Sequence, residues 1–231
     1  PDKLITPRYW VSKTEVQQRL RDKGWTRGWL MGWRRNARAT DERTTIATVM
    51  PLSGQGDSVF LWATSAQTSA AESALLLANL CTLVFDFVAR QKVGGVNFSF
   101  YYFKQLPALA PSSYERADKD FIIPRILELS YTAHDLADWA QDLGHDGQPF
   151  TFDPDRRSIL RAELDAYYAR LYGLTRDELR YILDPTDVMG DDYPSETFRV
   201  LKDREEREFG EYRTRRLVLE AWDKLECGAL R

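Results

Sequence analysis

"LLLANLCTLVFDFVARQKVGGVNFSFYYF", residues 75–103, decides how the first half of this chain is read. Its apolar positions Leu76, Leu80, Leu83 and Phe87, with Leu77, Val84 and Val88 beside them, recur at intervals of three and four residues, so one helix face carries them all. The spacing predicts a single helix over 69–90 that stops at Gly94 and Gly95, since glycine readily takes the left-handed conformation that closes a helix. From Val96 to Phe103 the rings Phe98, Phe100 and Tyr102 alternate, which is the period of a strand. Working outward, Ser12 to Glu15 ("SKTE") forms a capping box for a short helix ending near Gly24. Three stretches rich in β-branched and aromatic residues follow at 25–33, 43–51 and 58–63, and the "SGQGD" turn at 53–57 makes the last two an expected hairpin. The fold class expected for 1–110 is α+β, a small mixed or antiparallel sheet with one long helix packed on it.

Beyond Tyr114 the texture changes. Helical periodicity runs through 119–143, 155–172, 175–183 and 203–225 without a convincing strand, so a mainly helical region is expected at 111–231. The Pro-rich 107–113 marks the boundary between the two domains.

The composition, 43% hydrophobic and 29% charged over 231 residues, is that of a folded globular chain. Two cysteines, Cys81 and Cys227, give neither a disulfide framework nor metal-ligand spacing, and the expected setting is the reducing cytoplasm. The most apolar stretch, 73–89, is broken by Asn79 and Asp86, so no membrane partner is expected. The first residue is not Met and no signal-peptide core follows, which suggests a piece of a longer protein. The net charge of −3 divides unevenly: residues 1–110 carry 14 Lys/Arg against 8 Asp/Glu, or +6, while 111–231 carry 18 against 27, or −9. A polyanion partner should therefore meet the first half.

Two basic clusters lie there. The segment 32–47 holds Arg34, Arg35, Arg38 and Arg43, interleaved with Asn36 and Thr40. Guanidinium forks suit phosphates and guanine edges, and Asn and Thr can pair with base edges, although the neighbouring Asp41 and Glu42 equally fit a solvated turn with local ion pairs. The second cluster is Arg90, Lys92 and Lys104 around Gly94 and Gly95, where a backbone without Cβ atoms could approach a phosphate or merely cap a helix. Trp25, Trp29 and Trp33 share one face and read as core, as do the alternating rings of 98–102. No phosphate loop, dinucleotide fingerprint, nucleophile elbow or Cys/His metal set occurs, and His134 and His145 read as structural. Asp184, Asp187, Asp191 and Asp192 do not match an EF-hand and read as turns and caps.

"RNARATDERTTIATVMP" (35–51), "LLANLCTLVFDFVARQKVGGVNFSFYYFKQLPALAP" (76–111), "RILELSYTAHDLADWAQDLGHDGQPF" (125–150) and "GEYRTRRL" (210–217) together resemble the C-terminal part of bacterial restriction-modification and phage-defence adenine-N6 DNA methyltransferases, including single-chain enzymes. The resemblance spans nearly the whole chain in the same order. It implies a target-recognition module that reads double-stranded DNA, with Arg38, Thr40, Arg43, Arg90, Lys92, Gly94, Gly95 and Lys104 at the matching positions. The implied roles are phosphate clamps for Arg43, Arg90, Lys92 and Lys104, and groove readers for Arg34, Arg35, Asn36, Arg38 and Thr40. It further implies an upstream methyltransferase domain on the same polypeptide that holds S-adenosylmethionine, with no cofactor, no metal and no catalytic residue in residues 1–231 themselves. The competing expectation is a docking module that joins a phage-defence complex through its acidic helices.

Overall fold

The computed structural model describes residues 6, 8–62, 68–193 and 197–231, and within them the chain is α+β. The first half runs α1 (Lys13–Asp22), β1 (Trp29–Arg34), β2 (Ala47–Pro51), β3 (Val59–Trp62), α2 (Ala70–Leu80), α3 (Leu83–Lys92) and α4 (Phe100–Phe103). The rest runs α5 (Arg116–Ser130), α6 (Ala137–Asp142), α7 (Pro154–Leu171), α8 (Arg176–Leu183), α9 (Thr186–Met189), α10 (Arg199–Phe209) and α11 (Arg213–Glu226). Two compact units result. One takes in the described residues up to Arg35 with Ile46–Ala78 and Leu109–Phe152, the other Asn36–Thr45, Asn79–Ala108 and Asp153–Arg231. Each unit draws on both sides of residue 110.

The first unit is organised by β1. It is the central strand of an antiparallel sheet in the order β2-β1-β3, with Met31 opposite Val49 on one side and Trp62 on the other. The expected hairpin between β2 and β3 is thus replaced by two pairings to β1. A strand whose residues Trp29 to Trp33 are all buried gains most from neighbours on both edges. Ala63, the last residue of the expected third strand, lies outside the described residues. Gly32 is required here, because a Cβ at that position would stand 2.3 Å from the Phe60 carbonyl oxygen. Trp29 packs edge-on against Trp25 at 5.4 Å and Trp139 of α6 at 4.7 Å between ring centres, so α6 closes the core of the sheet. The Trp29 indole donates to Asp142 at 2.9 Å, which satisfies its one polar atom. His145 stacks on Phe150 at 5.0 Å and serves packing, as expected.

The second unit is a helical core in which Leu83 and Val84 of α3 meet Ala162 and Ala166 of α7, Leu179 and Ile182 of α8, Leu201 of α10 and Val218 and Trp222 of α11. Its α7 and α8 match the periodicities at 155–172 and 175–183. The one expected at 203–225 is two helices, α10 and α11, parted at the left-handed Gly210, and the one expected at 119–143 is α5 and α6 of the first unit. The expected single helix over 69–90 is two helices. The Thr82 hydroxyl donates to the Asn79 carbonyl at 2.8 Å and accepts from the Phe85 amide at 3.3 Å, so it ends α2 and caps α3. The expected strand at 96–103 is also absent: Ser99 precedes the single turn of α4, and only Asn97 makes an isolated bridge. Rings at alternate positions do not by themselves supply a neighbouring strand, and among the described residues no strand pairs with this segment. No single helix among the described residues is long and apolar enough to cross a membrane.

Candidate nucleic-acid interface

Residues 36–45 and 79–108 belong to the same unit, and α3 holds the first of these segments in place. Asp86 is fully buried in an apolar helix, where an unpaired carboxylate would be costly. Its Oδ1 accepts the backbone amides of Thr44, at 2.9 Å, and Thr45, and its Oδ2 accepts Arg90 Nε at 2.9 Å. The remaining four N–H groups of Arg90 all reach carbonyls: Ala39 at 2.8 Å, Thr197 at 2.9 Å, and Asp41 and Glu42 at 2.7 Å each. The guanidinium also lies 4.6 Å from the centre of the Phe198 ring. With five donors filled, Arg90 is committed to the fold. Its expected place as a phosphate clamp is therefore corrected: an arginine one helical turn after Asp86 on the buried face pairs inward.

Arg43 follows the same pattern. Its Nη2 donates to the Cys81 carbonyl and its Nε lies 3.9 Å from Asp86, with the side chain three-quarters buried. It too is corrected from phosphate clamp to scaffold. Arg35, in the other unit, pairs with Asp57 and lies over Phe60 at 5.6 Å, while Arg34 is exposed at the end of β1.

The remaining candidates lie on the clamped loop, at Asn36, Arg38 and Thr40, and on the end of α3 and the segment that leaves it, at Lys92, Gly94, Gly95 and Lys104. Asn36 and Asn97 form an antiparallel bridge, and the Ala37 amide donates to the Val96 carbonyl at 3.2 Å. Two basic segments remote in the chain are thereby stitched together. Asn36, Arg38, Thr40, Lys92, Gly94, Gly95 and Lys104 are all exposed. Among the described residues no ion pair holds Arg38, Lys92 or Lys104. Arg38 is positioned from its backbone, with its amide donating to Asp41 at 3.1 Å and its carbonyl accepting from the Thr44 hydroxyl at 2.9 Å.

Gly94 and Gly95 are not helix caps. The cap of α3 is Val93, in extended conformation, neither glycine has positive φ, and a Cβ on either would meet nothing within 4 Å. The fold tolerates a side chain at both, so the exposed peptide there is available to a ligand oxygen. The "KQLP" exit is anchored at Pro107, whose carbonyl accepts from the Tyr172 hydroxyl at 2.7 Å while that oxygen accepts from Asn79 Nδ2 at 2.8 Å. Burial raises the Tyr172 pKa further above the ordinary phenol value.

Two residues of this surface escaped the sequence reading. Phe98 is buried as expected, but Phe100 and Tyr101 on α4 are exposed, Tyr101 by 72%. The available signal was charge: no Asp or Glu occurs between Asp86 and Glu115, although three cations do. The aspartates of 184–192 stay apart from this surface chemistry. Asp184 is buried with Lys202 at 3.1 Å, Asp187 accepts from Arg180 at 2.8 Å, and no group of three metal-ligating side chains converges among the described residues.

Comparison with protein-family models, with curated proteins and with solved structures finds no match to the chain.

Proposed function

We propose that this chain is the duplex-DNA recognition module of a restriction-modification or phage-defence adenine-N6 DNA methyltransferase working in the bacterial cytoplasm. The motif strings carry the family reading, and methyl transfer with its S-adenosylmethionine belongs to the upstream domain. The observation that carries DNA contact is the Asn36–Asn97 bridge, which unites Arg38 and Thr40 with the open peptide of Gly94 and Gly95. In this reading Arg38, Lys92 and Lys104 meet phosphates, Asn36 and Thr40 reach base edges, and Asp86 with Arg90 holds the loop in shape before DNA arrives.

Fluorescence anisotropy on a mixed-sequence duplex tests this. Three cation–phosphate contacts give a log–log salt slope of about −2.7, which is about a fortyfold loss of affinity between roughly 50 and 200 mM salt. Alanine at Arg38, Lys92 or Lys104 should flatten the slope by about 0.9 each. Absence of binding at the lower salt would reject the reading and favour docking to a protein partner.

A further inference from the structure

Tyr101 stands out on α4 because it is 72% exposed. Its ring meets no aromatic ring among the described residues but the edge of Tyr102 at 5.5 Å, and sits beside the partly exposed Phe100. Its carbonyl, in contrast, is fixed by Gln105 Nε2 at 2.9 Å, and the turn is bounded by buried Phe98 on one side and the anchored Pro107 on the other. A planar ring is thus presented to solvent from a held backbone. Lys92 and Lys104 flank it in sequence, and the stretch from Phe87 to Tyr114 contains no acidic residue. An apolar protein partner would not call for that charge bias, whereas a base on its phosphate strand offers a π-face and negative charge together.

We infer that Tyr101 is a stacking platform for an unpaired base, so that the module grips distorted duplex DNA, with one base out of the stack, more tightly than regular duplex. The inference rests on the DNA reading above and adds a base-contacting residue to it. Tyr101 supplies the stacking face, Phe100 widens it, and Lys92 and Lys104 hold the flanking phosphates.

The test compares a mixed-sequence duplex carrying one bulged 2-aminopurine with the same duplex fully paired. The wild-type chain should prefer the bulged probe by about tenfold and quench its emission, as stacking does. Tyr101→Ala should lose both the preference and the quench at an unchanged salt slope, and Tyr101→Phe should keep both. Equal wild-type affinity for the two probes, or a Tyr101→Ala variant that still quenches, would overturn the inference. Salt-dependent binding to the paired duplex in those cases leaves the DNA reading standing. Failure of the wild type to bind either probe removes both.

Discussion

Replacing Arg90 by methionine distinguishes a buried scaffold from a surface contact. The substitution keeps the apolar stem and deletes the ion pair to Asp86 at 2.9 Å together with four bonds to carbonyls. Breaking a buried pair from one side costs about 3–5 kcal/mol, chiefly because the remaining charge is stranded. Asp86 keeps two backbone amides and the Arg43 guanidinium at 3.9 Å, which lessen that penalty, but the carbonyls of Ala39, Asp41, Glu42 and Thr197 lose charge-assisted donors. These four are only part-buried and can recover water, so the net loss should be about 4 kcal/mol, a large share of the roughly 5–15 kcal/mol typical of a domain. Adding Asp86→Asn should return about 2 kcal/mol, because a neutral amide oxygen still accepts from Thr44 and Thr45 without a stranded charge. Urea unfolding measures the free energies, and hydrogen exchange should show Thr44 and Thr45 losing protection. A loss below about 1 kcal/mol with a one-unit drop in the DNA salt slope would refute the scaffold role and return Arg90 to the phosphates.

Three further outcomes are expected. Burial raises the Asp165 carboxyl from 3.8 to about 6, against the pull of Arg43 and of the Leu83 amide 2.6 Å away. Since the folded value lies above the unfolded one, stability should fall as pH rises from about 4 to about 6, by about 3 kcal/mol in all, and Asp165→Asn should abolish that slope in unfolding curves. Gly94→Ala and Gly95→Ala should leave stability unchanged or raise it by about 0.5 kcal/mol, while lowering duplex affinity in the anisotropy assay if the backbone meets a phosphate. Gly32→Val should cost about 2 kcal/mol and lower the calorimetric Tm by several degrees, because its Cβ must displace the β3 backbone.

The elements that were legible in the sequence are those whose signal is local. Ser12 caps α1, accepting from the Glu15 amide, although the Glu15 carboxylate pairs with Arg19 and does not complete the expected capping box. The 3.6-residue period located most of the C-terminal helices. Trp25, Trp29 and Trp33 were readable as core from their common face, and they are buried. The break at Thr82 was harder to see, because an apolar period continues through it while a hydroxyl three residues before Phe85 quietly caps a new helix. Strand pairing was misread for a similar reason. The turn at 53–57 promotes reversal, but it cannot say that β1 lies between the two strands it connects.

The sequence by itself determined the α+β class, the position of the basic segments and the absence of acidic residues around the aromatic turn, since all of these follow from residue identity and short-range spacing. Only the tertiary structure sorted the cations. Arg43 and Arg90 point to the buried Asp86, and Arg38, Lys92 and Lys104 remain in solvent, although all five look alike in the chain. A guanidinium goes wherever its five donors are best filled. That depended on the carbonyls of Ala39, Asp41, Glu42 and Thr197, which converge on Arg90 only after segments remote in sequence have packed together.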